Sequence, residues 1–219
     1  MKNWKYLLYV LVAMALSGCS STRITSSWKA TETSPYNYKK VLVLGLIRDS
    51  DRSIQENMEN HLVMELKNLG YEAVSSLQEY GPRAFDKLDE TTAVQSIRNN
   101  GFDAVLSIVM LDKTKEKRYV AGNTFYSPYS YYYNRFWGYR VTLVHRIYEP
   151  GYYVTDTKYF WESNLFDMHT QKMVFSVQTQ SFDPSNSEML GHEYGQLIVK
   201  HMVKEDVLRN LGNSPARAF

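Results

Sequence analysis

The chain has 219 residues and a single cysteine, Cys19. One thiol excludes an intramolecular disulfide and a thiolate metal cluster. Net charge is also missing. Lys2 and Lys5 lie in an N-terminal leader, and the 23 basic residues beyond it match 23 acidic ones. A balanced chain lacks the electrostatic footprint of a nucleic-acid binder. The one basic run, Lys113, Lys115, Lys117 and Arg118, is interrupted by Asp112 and Glu116 and reads as a solvated strand end. There is no Gly-rich phosphate loop: Gly45 is followed by Asp49 and Ser50, without a lysine or a second glycine. There is no G-x-S-x-G elbow. The histidines, His61, His145, His169, His192 and His201, form no H-x-x-x-H pair and are read as structural or surface groups. Asp86, Asp89 and Glu90 fall in a polar stretch and read as solvated charges, not an acid/base pair. No internal repeat and no second domain are visible. These absences lead to the expectation of a non-enzyme with no catalytic residue, no metal and no cofactor.

What is present begins at the N-terminus. Lys2 and Lys5 precede an apolar run from Tyr6 to Leu16, and Ser17 and Gly18 are small. This is the three-part pattern of an export signal. The run is too short to cross a bilayer, which takes about 20 residues. Leu16-Ser17-Gly18-Cys19 resembles the bacterial lipobox. The resemblance implies cleavage between Gly18 and Cys19, a diacylglycerol on the Cys19 sulfur and acylation of the new amino terminus. Each buried methylene contributes roughly 0.8 kcal/mol, so two or three chains hold a protein on a membrane almost irreversibly. Ser20 in place of Asp, by analogy with lipoprotein sorting, points to the periplasmic face of the outer membrane.

Residues 1–18 are therefore read as signal peptide and 19–37 as a lipidated tether, with a short edge strand around Trp28. Residues 38–212 are read as a single α/β periplasmic domain and 213–219 as a tail. Lys40–Leu46 is a continuous apolar run that suits a strand buried on both faces. Ser53 and Glu56 have capping-box spacing. Ile54, Met58, Leu62, Leu66 and Leu69 make one helical face, and Gly70 stands at a left-handed C-cap. Tyr71–Ser75 reads as a strand, 78–90 as irregular around Gly81-Pro82, 91–100 as a helix, and Asp103–Leu111 as a buried strand. Tyr139–Tyr148, Tyr152–Phe166 and Lys172–Phe182 read as a meander with turns at Pro150-Gly151 and Asp167–Gln171. A last helix is placed from Ser185, boxed with Glu188, to Gly212, with Leu190, Tyr194, Leu197, His201 and Leu208 inward. The fold class is α/β (α+β): a mixed sheet with a β-α-β-α-β first half, an antiparallel meander second half and a C-terminal helix packed on the sheet.

The segment YKKVLVLGLIRDSDRSIQENMENHLVMELKNLGYEAV resembles the opening of periplasmic domains found in the TolB amino-terminal domain, the curli secretion lipoprotein CsgG and lipoprotein activators of penicillin-binding proteins. WESNLFDMHTQKMVFSVQTQS, residues 161–181, resembles their strand-turn-strand hairpin. The chain departs from a complete TolB, having no β-propeller, and lacks clearly alternating membrane strands like those of CsgG. The resemblance implies an envelope role of a non-enzymatic kind and transfers no catalytic residue.

Residues 125–139 hold nine aromatic side chains in fifteen positions. Tyrosine is rigid and amphipathic and gives contact area at low entropic cost. Tyr126, Tyr129, Tyr131, Tyr132, Tyr133, Phe136, Trp137 and Tyr139 are the candidate partner-binding residues. A protein partner, the sugar rings of a glycan, a lipid interface and a loop folded over its own core all remain open for them. The sequence thus leads to a lipid-anchored binding or assembly factor, held on the membrane by its N-terminal lipid, with an envelope protein partner and no nucleic acid. Its alternatives are a subunit of an oligomeric secretion pore, with 115–160 refolding as membrane strands, and a peptidoglycan-binding module.

Overall fold

The structure, a computed structural model, describes residues 21–31, 38–47, 52–82, 85, 89–120 and 152–212. The signal peptide, Gly18 and Cys19, the strand expected at Tyr139–Tyr148, all eight aromatic candidates and the tail lie outside these residues.

Six strands form one mixed sheet: β1 Thr22–Lys29, β2 Lys40–Leu46, β3 Glu72–Ser75, β4 Ala104–Val120, β5 Tyr152–Asp167 and β6 Lys172–Phe182, in the order β1-β6-β5-β4-β2-β3. Four helices accompany them: α1 Arg52–Asn68, α2 Ser76–Tyr80, α3 Glu90–Asn99 and α4 Ser187–Lys204. β2 lies parallel to both β3 and β4, so the β-α-β-α-β first half stands as expected. Parallel strands are buried on both faces, and Val41, Leu42 and Val43 are fully inaccessible.

The contacts group the chain into two compact units, Met1–Lys113 with Tyr159–Phe219, and Thr114–Lys158. In the first unit, α1 and α4 cover one face of the sheet. Met58, Leu62 and Leu66 of α1 and Leu190, Tyr194, Ile198 and Met202 of α4 pack on Val41, Val43, Leu106, Trp161 and Phe175. The other face carries a smaller core in which Ile97 of α3, Phe102 and Met168 meet Leu42 and Val105. α1 and α4 run parallel: Ser53 Oγ lies 3.0 Å from Ser187 Oγ, Asn57 Nδ2 donates to Ser187 Oγ (3.0 Å), and further along His61 meets His192. Gly191 allows this approach, because a Cβ there would come within 2.7 Å of the Asn57 carbonyl oxygen. In the second unit, Arg118 pairs with Asp156 (3.2 Å), Lys158 with Glu116 (2.7 Å), and Tyr119 packs on Tyr153.

Several boundaries differ from the sequence reading, each for a local reason. The strand expected around Trp28 within a tether runs from Thr22 to Lys29, antiparallel to β6, with a bulge between Ile24 and Ser26. Residues 76–80, read as the edge of an irregular stretch, form a helix capped by Ser75, whose Oγ accepts from Gln78 N. Asp89 is not merely solvated. It caps α3, and the hydroxyl and backbone N–H of Thr92 hold its carboxyl below the usual carboxylate range. Ser53 does not cap α1 but lies inside it, facing Ser187. The cap of α4 is Asn186, not Ser185, and accepts from Met189 N at 2.7 Å. α4 ends at Lys204, eight residues short of Gly212. Its inner stripe passes through Ile198 and Met202, leaving Leu197 and His201 half-buried. Leu208 is buried beyond the helix, where the chain returns to α1: Leu211 N and Gly212 N both donate to Leu69 O. Gly70 does take the left-handed conformation, at φ 94°. Among the described residues, no helix is long and apolar enough to cross a membrane.

Candidate functional site

In open sheets with parallel strands, a crevice forms at the carboxyl ends of neighbouring strands whose connections leave toward opposite faces. β2 and β3 are such a pair. The chain after β2 enters α1 on one face, whereas the chain after β3 enters α2 and α3, and α3 packs on the other. An open crevice of about 520 Å³ lies there, lined by Gly45, Leu46, Gln55, Ser76, Pro82 and Phe85 among others.

Glu59 of α1 is wholly buried and bonds to three of the lining residues, Gly45, Gln55 and Ser76. Its Oε1 accepts from Gly45 N (2.9 Å), Gln55 Nε2 (3.0 Å) and Ser76 Oγ (3.1 Å), and its Oε2 from Ser75 Oγ (2.6 Å) and Leu77 N (3.1 Å). Gly45 permits this, since a Cβ there would lie 2.8 Å from Oε1 and 2.9 Å from Gln55 Cγ. Gln55 also donates to Gly45 O at 2.9 Å, so one side chain ties the strand end to the carboxylate. Five donors meet one carboxylate, a group that only accepts when ionised. A general base must be open to a substrate proton. Here both oxygens are already engaged from three segments of the chain, and the arrangement pins the ends of β2 and β3 to α1.

A second polar array crosses β1, β6 and β5. Arg23 Nη2 donates to Gln180 (3.0 Å), Ser26 Oγ to Gln178 (3.2 Å), Gln178 Nε2 to Glu162 (2.9 Å) and Asn164 Nδ2 to Glu162 (2.9 Å). The bonds from Asn164 and then Gln178 hold the Glu162 carboxyl below its usual range. At the other end of the sheet, Arg98 closes the β5–β6 turn by donating to Met168 O and His169 O.

No protein-family model and no curated protein matches the sequence. Solved structures do resemble it. The PelC dodecamer from Paraburkholderia phytofirmans is 12% identical at a TM-score of 0.40, covering 86% of this chain and 99% of that one. Lipoprotein GNA1162 from Neisseria meningitidis is 12% identical at a TM-score of 0.42, covering 76% of this chain and 99% of that one. Neither likeness bears on ligand or activity.

Of the sequence-nominated residues, Gly18, Cys19 and the eight aromatics fall outside the described residues, so the structure brings none of them together. The sequence reading missed Glu59. Its signal was an acidic residue on the apolar stripe of α1, between Met58 and Leu62. It also missed the pairing of His61 with His192, whose rings meet edge to face at 5.4 Å between centroids. Burial and then His192 push the His61 pKa down, against Glu188 and Glu65, and its Nδ1 is buried without a hydrogen-bond partner. Among the described residues, no three His, Cys, Asp or Glu side chains converge as a metal site.

Proposed function

We propose that the chain is a lipid-anchored protein of the bacterial cell envelope, at the periplasmic face of the outer membrane, that works by binding or assembly and not by catalysis. The observation that carries this reading is Leu16-Ser17-Gly18-Cys19 after a basic start and a short apolar run, immediately before the folded body. Acyl chains at Cys19 confine the protein to a leaflet, where held proximity is its contribution. Glu59, buried behind the crevice, has both oxygens engaged and is not offered as a general base. Tyr131, Tyr132, Tyr133 and Trp137 belong to the segment assigned to partner contact.

Intact mass spectrometry of the natively produced protein tests the anchor. The expected species starts at acylated Cys19 and fractionates with the outer membrane, and Cys19→Ser leaves the membrane fraction or remains an unprocessed precursor. An unmodified, uncleaved N-terminus overturns the reading. Replacing Tyr131, Tyr132, Tyr133 and Trp137 with Ser tests the contact role, and an unchanged set of crosslinked envelope proteins removes it. The glycan alternative is decided by a pull-down on purified peptidoglycan.

Within the described part of the Thr114–Lys158 unit, Tyr119, Tyr152 and Tyr153 are exposed, but the stretch Thr114–Arg118 does not favour the secretion-pore alternative. Along Thr114–Arg118, Lys115 and Lys117 point to one side and Glu116 and Arg118 to the other. A membrane strand needs an apolar row on its lipid side.

A further inference from the structure

We infer that in the lipidated protein the end of the larger unit where β1 begins lies directly on the bilayer surface, with no tether between membrane and fold. This rests on the lipid-anchor reading. It follows from where the fold starts. Ser21 is already fixed: its N–H and Oγ donate to Glu193 Oε2 of α4 (3.0 and 2.7 Å), and its carbonyl accepts from Phe182 N at the end of β6 (2.9 Å). Only Ser20 stands between Cys19 and Ser21, and a two-residue step of extended chain reaches at most about 7 Å. A diacylglycerol on Cys19 therefore brings Ser21, the end of β6 and the first turns of α4 to the headgroup layer.

The side chains at that end suit such a surface. Phe182 is 46% exposed and Met189, one turn before Glu193 on α4, is 43% exposed. Arg23 shares a shallow recess of about 280 Å³ with Ser21, Gln180 and Phe182. An aromatic ring beside a long cationic side chain is the pairing that settles at a lipid–water interface. Arg23 and Arg52 stand with Asp183 and Glu188 around this end without an excess of one sign, so apolar contact and the acyl chains, not anionic lipid, hold it down. The partner is accordingly an uncharged lipid surface.

The test uses the full lipidated protein in phosphatidylcholine vesicles, with acylation of Cys19 confirmed by mass spectrometry. Cys19 is the chain's one thiol and is blocked by the lipid, so a single introduced cysteine takes a fluorophore cleanly. Met189→Cys reports the proposed contact and Met173→Cys, at the opposite end of β6, is the control. With nitroxide-labelled lipid, the probe at 189 is expected to lose about half its emission while the probe at 173 keeps its own. Equal emission from the two sites on acylated protein overturns the seating and leaves the anchor intact. An unmodified Cys19 overturns both. A flexible Gly-Ser insert between residues 20 and 21 is expected to abolish the difference, and persistence of the quenching overturns the short spacer as its cause.

Discussion

At Glu59 one side chain of α1 joins two stretches of chain that are otherwise separate: the end of β2 through Gly45, and the β3–α2 junction through Ser75, Ser76 and Leu77. Removing the carboxylate leaves these donors without their acceptor, and leaving buried polar groups unsatisfied costs about 3 kcal/mol. Glu59→Ala is therefore expected to lower the unfolding midpoint by roughly 10 °C, at about 2–4 °C per kcal/mol for a protein of this size. Glu59→Gln also destabilises, because its NH₂ group meets donors. Thermal unfolding of the three proteins decides it, and an unchanged midpoint in both variants refutes the pinning role. In the sequence, only the position of Glu59 was readable, as an acid on the buried stripe of α1. Its donors come from residues 14 to 18 away in the chain, as well as from Gln55 one turn earlier, and no periodicity announces them.

The elements whose apolar period is strong were legible. β2, the body of α1, α3, β5 and β6 lie within a few residues of their expected places: β2 and α1 bury strong apolar patterns, and α3 is bounded by its Asp89 cap and by Asn100-Gly101. β1 was legible only at its end: an edge strand was expected around Trp28, but its start at Thr22 was not, because Thr-Arg-Ile-Thr-Ser-Ser-Trp shows neither alternation nor an apolar run, and an edge strand pairs on one side alone. A tether and a strand predict opposite outcomes when residues 22–29 are replaced by a Gly-Ser chain of equal length. Cross-strand pairs contribute up to about 1 kcal/mol each, so losing β1 is expected to cost roughly 2 to 4 kcal/mol in urea unfolding. An unchanged midpoint would restore the tether. The helix pair makes a separate prediction. His61 sits between α1 and α4 with its pKa below the ordinary 6.5, facing His192 and Glu188 of α4 and Glu65 of its own helix. A depressed folded-state pKa means that the unfolded chain takes up the proton first. Stability is then full above about pH 6.5 and falls as pH drops from there through the folded-state value. Urea midpoints measured across this window should decline for the native protein and decline less for His61→Gln, whereas parallel curves would show that His61 is not the titrating group.

At the scale of the molecule, the chain leaves the larger unit at Lys113 and returns at Tyr159, whose side chains meet, with Lys113 Nζ 5.2 Å from the centre of the Tyr159 ring. Neighbouring antiparallel strands can be joined by a short turn. The larger unit has its own core, in which Trp161 is fully buried between Tyr159 and Tyr194, with ring centroids at 5.6 and 5.8 Å. Excising 114–158 and joining Lys113 to Tyr159 through Asn-Gly is therefore expected to leave a folded protein, with cooperative unfolding and the near-ultraviolet signal of a buried tryptophan retained. The excised stretch contains all eight aromatic candidates, so the same variant separates two roles that substitutions within the segment mix together. If the aromatic segment makes the partner contact, the shortened protein remains acylated and membrane-bound through Cys19 but loses its crosslinked envelope partner. If the partner is retained, the contact belongs to the larger unit, and the polar array of Arg23, Gln178, Glu162 and Asn164 becomes the surface to mutate next. Failure of the shortened chain to fold would show that the larger unit depends on 114–158 for its stability, contrary to the self-sufficient core inferred here.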